Sequence, residues 1–122
     1  MTIIPNFLLK RLYVLGSLKQ NEEGVWFSFK NTVGAGTLTR LNRVRINEND
    51  FSAEQVWIQV DVHEPQIAAS VNEQSPLTVS LNQVITCHIK EITLDTGSHE
   101  ITLDIISREA GHVVVSIEDK IN

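Results

Sequence analysis

The sequence is poor in the residues that crosslink or break a chain. Its 122 residues include one cysteine, three prolines and six glycines. The single cysteine, Cys87, excludes an intrachain disulfide framework and a metal site built from several thiolates. Low proline and glycine content argues against disorder, and no apolar run approaches the roughly 20 residues that cross a bilayer. We therefore expect a folded, soluble protein suited to the reducing cytoplasm.

Positive charge is also scarce. The chain has 10 Lys and Arg residues against 15 Asp and Glu, a formal charge of -5, so it repels polyanions and we expect no nucleic-acid partner. The densest basic run, Arg40, Arg43 and Arg45, is interrupted by apolar residues, which is typical of a solvated strand face. Residues 1–9 lack the basic start and the cleavage site of a signal peptide, so we expect neither export nor membrane attachment.

Short runs of alternating apolar and polar residues recur along the chain, and no long helical pattern interrupts them. Leu41 is out of phase with its run, which predicts a β-bulge. We therefore expect residues 1–122 to form one all-β domain, an antiparallel, jelly-roll-like two-sheet sandwich of eight or nine short strands. The predicted strands cover residues 12–18, 25–29, 37–46, 56–62, 77–81, 84–92, 99–107 and 112–118, with a weaker candidate at 67–71.

The usual catalytic constellations are missing from the sequence. No two of the four histidines form the His-x-His pair that places two imidazoles on one face of a strand. Cys87 and His88 are neighbours in a predicted strand, so they point to opposite faces and cannot easily act as nucleophile and base. A small independent enzyme would have to use His63, Glu64 or His99. We predict no catalytic residue, no metal site and no cofactor, and no activity of the chain alone.

Both tryptophans lie on the polar side of predicted strands. Alternation in residues 25–29 and 56–62 assigns the core to the neighbours of Trp26 and Trp57. So large an aromatic surface needs a cover, which a loop or the N-terminal segment, another subunit, or a sugar ring would supply. Tyr13 lies in a predicted strand that is apolar on both faces, hence central or covered by a partner. Trp26, Trp57 and Tyr13 are therefore candidate interface or ligand-stacking residues.

Two parts of the sequence resemble a group of small prokaryotic proteins of similar length. The matching segments are IPNFLLK at 4–10, LYV at 12–14, GSLK at 16–19, FKNT at 29–32, Leu94-x-x-Gly97-x-His99-x-Ile101, Glu109-x-Gly111 and Val115-x-Ile117-x-Asp119. Members of the group often carry the name hydroxymethylglutaryl-CoA reductase, an enzyme several times longer that needs a nucleotide-binding domain. We do not expect that activity from a chain of this length.

The strand layout and the Leu-x-x-Gly-x-His pattern are also similar to the small β subunit of C-glycoside deglycosidases, a β-sandwich that assembles with a larger barrel subunit. The resemblance implies that the metal and the catalytic residues belong chiefly to the larger subunit. We therefore predict a non-catalytic accessory subunit that docks on a larger catalytic protein through an apolar sheet face. The alternatives are a homo-oligomer that uses the same face and a stand-alone module that stacks pyranose rings on Trp26 or Trp57.

Overall fold

The computed structural model describes residues 6–122, with side chains from Leu8 onward. A short helix, α1 (Asn6–Lys10), precedes the strands, and a single 3-10 turn lies at Ala68–Ser70. The start of the resembling segment 4–10, and most of the region tested for a signal peptide, lie outside the described residues. The strands are β1 (Lys19–Asn21), β2 (Gly24–Lys30), β3 (Gly36–Ile46), β4 (Asn49–Ser52), β5 (Val56–Val60), β6 (Gln66–Ile67), β7 (Leu77–Val79), β8 (Val84–Ile89), β9 (Gly97–Ser107) and β10 (Gly111–Ile121).

The strands form two antiparallel sheets around a shared core. Sheet A has the order β1-β2-β8-β5-β6, and sheet B has the order β10-β9-β3-β4, with β7 also paired to β3. Phe27 and Ile58 from sheet A join Val44 and Ile101 from sheet B in one hydrophobic cluster, each at most 2% exposed. The predicted all-β two-sheet sandwich is confirmed.

Local irregularities account for the differences from the predicted strands. The described residues form ten strands instead of eight or nine. β7 lies within the predicted strand at 77–81 and β6 overlaps the weaker candidate at 67–71. β1 and β4 were not predicted, because with three and four residues they are too short to show alternation. The bulge predicted at Leu41 is present as register shifts in the pairing of β3 with β9. Among residues 6–122 no helix is long and apolar enough to cross a membrane.

The predicted strand over residues 12–18 is wrong. Tyr13 makes only an isolated bridge to Phe29, and the segment bends at Gly16, where φ is +84°. The Tyr13 side chain is buried in the core, with its ring edge-on to that of Phe29 at a centroid distance of 5.3 Å. Leu15 remains exposed. Tyr13 is therefore covered by the chain itself, and its apolar surroundings do not require a partner.

The carboxylate of Asp119 on β10 anchors this irregular segment. Its Oδ2 accepts a hydrogen bond from the Tyr13 hydroxyl at 2.6 Å. The same oxygen accepts the backbone N–H groups of Gly16 at 3.0 Å and Leu18 at 3.2 Å. Burial raises the pKa of the Asp119 carboxyl, but these hydrogen bonds outweigh burial and hold the pKa below its ordinary value. Asp119 thus supplies the acceptor that a neighbouring strand would otherwise provide.

We predict that Asp119→Asn lowers the free energy of unfolding by about 2–3 kcal/mol at pH 7. The amide lacks the negative charge, and its NH2 group replaces one of the two oxygens that accept backbone N–H groups. The folded-state pKa of Asp119 is depressed, so its contribution is present above the ordinary carboxyl pKa and is lost as the pH falls through the folded value. Denaturant titration should show the difference between the wild type and the variant shrinking as the pH falls below the ordinary carboxyl pKa. Asp95→Asn, at an exposed carboxylate, is the control. A pH-independent difference would contradict this account.

Candidate functional site

One row of aromatic side chains crosses the outer face of sheet A. The strand register pairs Trp26 of β2 with His88 of β8, and His88 with Trp57 of β5. Residues paired across neighbouring strands share a face of the sheet. All three side chains are half-buried, whereas the residues beside them in each strand are buried in the core. Trp26 and Trp57 therefore lie outside the core, as the alternation predicts.

His88 links the two tryptophans. Its ring stacks on that of Trp26 with a centroid distance of 4.0 Å and an interplanar angle of 6°. Its Nε2 lies 2.9 Å from the backbone carbonyl oxygen of Glu23. Because a carbonyl oxygen only accepts, Nε2 carries the proton and donates this bond, which leaves Nδ1 free to accept when the ring is neutral. The turn between β1 and β2 thus fixes the orientation of the imidazole.

Trp57 already holds a cation within the chain. The Lys90 Nζ lies 4.4 Å from the centroid of the Trp57 ring, which is the geometry of a cation–π contact. The cover that the two tryptophans need is thus partly supplied by neighbouring side chains of sheet A, since His88 stacks on Trp26 and Lys90 lies over Trp57. Both indoles nevertheless remain partly accessible.

Trp26, His88 and Trp57 form the floor of a groove of about 840 Å³, which we name the tryptophan groove. Its polar lining includes Thr86 and Gln59 on the floor strands. Four exposed carboxylates border the groove, and in residues 6–122 none of them lies within 4 Å of a cationic partner. The four carboxylates are those of Glu22, Glu23, Glu64 and Glu91. Aromatic surface and acidic charge therefore meet in one place.

Gly24 brings the acidic turn against the aromatic row. Its φ is +124°, and a Cβ built at this position would lie 2.2 Å from the carbonyl oxygen of Ile89 in β8. Only glycine permits this conformation and this close approach of backbone to backbone. The approach places Glu23 where its carbonyl meets His88. The sequence Asn21-Glu22-Glu23-Gly24 is thus both a hairpin turn and one wall of the tryptophan groove.

Tyr13 does not belong to this site. Its ring is 7% exposed, and its hydroxyl is bonded to Asp119 in the interior. The sequence suggested an interface role because apolar residues flank Tyr13 on both sides. The structure brings Trp26 and Trp57 together and leaves Tyr13 in the core.

The residues considered for an independent enzyme are dispersed. His99 is buried, with Nδ1 2.9 Å from Asn47 Nδ2 and Nε2 2.7 Å from the carbonyl oxygen of Asp95. His99 therefore joins the turn between β3 and β4, through Asn47, to the loop that precedes β9, through Asp95. His63 and Glu64 lie in the exposed loop after β5. Within the part of the chain that the structure describes, no three His, Cys, Asp or Glu side chains are grouped so as to hold a metal ion.

Two arginines of sheet B, Arg43 and Arg45, lie against carboxylates. Arg43 lies 3.5 Å from Asp50 and 3.4 Å from Asp104, and Arg45 lies 3.6 Å from Asp50. Asp104 also accepts hydrogen bonds from neighbouring side chains. Burial raises the pKa of the Asp104 carboxyl, but these bonds and the nearby positive charges outweigh burial and keep the pKa below its ordinary value. The positive charge of this run is thus partly offset within the sheet.

A second cavity, of about 380 Å³, lies between the two sheets and is lined almost wholly by apolar side chains, including Phe29, Leu41 and Leu103. Specific binding sites usually combine apolar surface with a few converging polar groups that orient the ligand. The tryptophan groove has this combination to a far greater degree. It is therefore the stronger candidate site.

Sequence reasoning missed His88 and the groove walls. His88 has the outward parity of its strand, but its place between the tryptophans depends on β8 pairing with both β2 and β5. These pairings join residues about 30 to 60 positions apart, and alternation carries no information on them. Glu22, Glu23, Glu64 and Glu91 are ordinary turn residues until the fold brings them together.

Cys87, which precedes His88 in β8, points into the core. Cys87 is 2% exposed, and burial raises the pKa of its thiol to about 12. We predict that Ellman's reagent at pH 8 leaves Cys87 unmodified in the folded protein and titrates one thiol in guanidinium, because only the exposed thiolate reacts. Ser28→Cys, on the outer face of β2, should add one thiol that reacts in the native state. Rapid native modification of Cys87 would show that β8 is not held as described.

A comparison with curated proteins finds no match to this chain. Residues 8–122 match the family described as hydroxymethylglutaryl-CoA reductase, N-terminal domain. The matched family is a domain and not the whole reductase, so a chain of this length is compatible with membership in the family. The match includes every strand and the whole tryptophan groove. The chain belongs to the hydroxymethylglutaryl-CoA reductase N-terminal domain family.

Proposed function

We propose that this protein is a non-catalytic accessory subunit that docks on a larger catalytic protein through the tryptophan groove. The observation that carries the proposal is the Trp26–His88–Trp57 row on the outer face of sheet A. Tryptophan is strongly enriched among the residues that dominate binding energy, and such residues lie centrally with a polar rim around them. The groove has this arrangement, with aromatic rings on its floor and glutamates at its edge.

Family membership agrees with this role. The family is described as the N-terminal domain of hydroxymethylglutaryl-CoA reductase, so the description names one part of an enzyme and not the whole of it. His99 serves the fold, since one ring nitrogen contacts Asn47 in the turn after β3 and the other contacts the carbonyl of Asp95 before β9. We therefore infer that another molecule binds at the tryptophan groove, where the indole rings are partly accessible.

The resemblance in the closing hairpin supports a more specific partner. Leu94, Gly97 and His99 match the Leu-x-x-Gly-x-His pattern noted for the small subunit of C-glycoside deglycosidases. We propose the large, metal-dependent catalytic subunit of such a carbohydrate-active enzyme as the docking partner. The structural role of His99 means that the pattern supports kinship in the fold of this hairpin more than a shared active site.

We predict that an affinity-tagged form of the protein, purified from its native host, brings a larger enzyme with it. The partner, identified by mass spectrometry, is then purified and titrated with the wild type and with Trp26→Ala and Trp57→Ala. Each substitution should weaken binding about 30-fold or more, because truncating a central aromatic anchor removes its contact area.

Val114→Ala is the matched control, since Val114 is an exposed apolar residue on sheet B. It should bind like the wild type, and thermal unfolding of all variants checks that they are folded. Unchanged affinity of both tryptophan variants would overturn docking through the groove. Native mass measurement of the purified protein also separates this role from self-association, because a homo-oligomer that uses the same face would show a multiple of the chain mass.

A second candidate function is supported by the polar groups beside the indole rings. Thr86 and Gln59 line the groove, and the Thr86 hydroxyl lies 3.1 Å from that of Ser28 in the next strand. Indole rings with adjacent hydroxyl and amide groups suit a pyranose, whose apolar face stacks while its hydroxyls form hydrogen bonds.

A stand-alone sugar-binding module predicts a tryptophan fluorescence change on titration with oligosaccharides, since the chain has only two tryptophans and both lie in the groove. Neutral cello-, xylo- and manno-oligosaccharides form the panel. Trp57→Ala should abolish the response and Val114→Ala should preserve it. The absence of a response across the panel would contradict this function and leave the accessory role to be judged by the partner experiment.

A further inference from the structure

The charges around the tryptophan groove favour one class of partner surface. We propose that the partner inserts arginine or lysine side chains into the groove, where they stack on the tryptophans and pair with the surrounding glutamates. This inference rests on the proposed docking function and adds the chemistry of the partner.

The first observation is the imbalance of charge. Glu22, Glu23, Glu64 and Glu91 border the groove, against the single ammonium of Lys90. Among the described residues none of these carboxylates takes part in an ion pair. An anionic partner would meet repulsion here, and a cationic one would find complementary charge at the rim of an aromatic floor.

The second observation is that the floor already accepts a cation. The Lys90 ammonium lies 4.4 Å from the centroid of the Trp57 ring. Lys90 is exposed and has no ion-pair partner within 4 Å in residues 6–122. The Trp57 ring thus already contacts a positive group, and a cation of the partner would replace the Lys90 ammonium there. A guanidinium, which stacks on aromatic rings and pairs with carboxylates at the same time, suits such a site better than an ammonium.

The third observation is the contrast with sheet B. There Arg43 and Arg45 lie within 4 Å of the carboxylates of Asp50 and Asp104. Carboxylates near the arginines of sheet B are therefore used internally, whereas those around the tryptophan groove are not. The glutamates of the tryptophan groove border the accessible indoles, so a cationic group of the partner would contact both.

The experiment uses tryptophan fluorescence, excited at 295 nm, to follow titration of the full chain with acetylated hexa-arginine amide. Hexa-citrulline, which has nearly the same shape without the charge, is the ligand control. We expect hexa-arginine to change the emission and hexa-citrulline to leave it unaltered. Raising the salt concentration from 50 to 300 mM should weaken binding, because exposed charges are screened.

The protein variants test the location of binding. Glu64→Gln with Glu91→Gln should weaken binding of hexa-arginine about three- to tenfold, since two exposed ion pairs are lost. The matched control is Glu100→Gln with Glu118→Gln, which removes the same charge from two exposed residues that lie opposite each other on β9 and β10 of sheet B. The control should bind as the wild type does.

Equal loss of binding in both double variants would show attraction to net charge alone and overturn the inference. A response to hexa-citrulline equal to that of hexa-arginine would also overturn it. So would the absence of any response to hexa-arginine. The mass of the protein could instead double with concentration, and the double variant Glu64→Gln with Glu91→Gln could abolish that doubling. This result would assign the groove to a second copy of the chain and would overturn the inference. A captured enzyme whose binding needs Trp57 but is insensitive to salt and to these glutamates would leave the accessory role standing while removing the cationic partner.

Discussion

The register in which β8 pairs with β2 and β5 governs both the core and the candidate site. On the inner face it aligns Phe27, Cys87 and Ile58, each at most 2% exposed. The same register aligns the residues next to these three in each strand, which are Trp26, His88 and Trp57, on the outer face. Because side chains alternate with period two, a slip of one residue would exchange the two sets. Burial of Phe27 and Ile58, worth roughly 1.5–3 kcal/mol each, therefore also holds the groove in place.

Carboxylates serve two separate purposes in this protein. Asp119 and Asp104 lie in the interior or at its edge, accept several hydrogen bonds, and have lowered pKa values. They join segments distant in sequence, as when Asp119 binds Tyr13 across 106 residues. The glutamates around the groove are exposed and make no such bonds among residues 6–122. The first group stabilises the fold at neutral pH, and the second gives one face of the sandwich its charge.

Alternation was enough to predict the fold class and the outward position of both tryptophans, because the period of a strand is a local property of its residues. It failed at residues 12–18, where apolar residues on both sides suggested a strand. There Tyr13 is buried and the backbone N–H groups of Gly16 and Leu18 are bonded to the Asp119 carboxylate. Such a contact depends on the tertiary structure, so no local sequence pattern predicts it. His88 was missed for the same reason, since only strand pairing places it between the tryptophans.

The two tryptophans occupy paired positions on strands that flank β8, so the sheet itself sets the distance between them. Neighbouring strands lie about 4.8 Å apart, which separates the backbones of Trp26 and Trp57 by roughly 9.6 Å. Substitution of side chains can change what stands at each position but not this spacing. The outer face of sheet A therefore fixes the separation of the two binding groups. A molecule that contacts both indoles must carry two groups at a separation that hydrogen bonding between the strands determines.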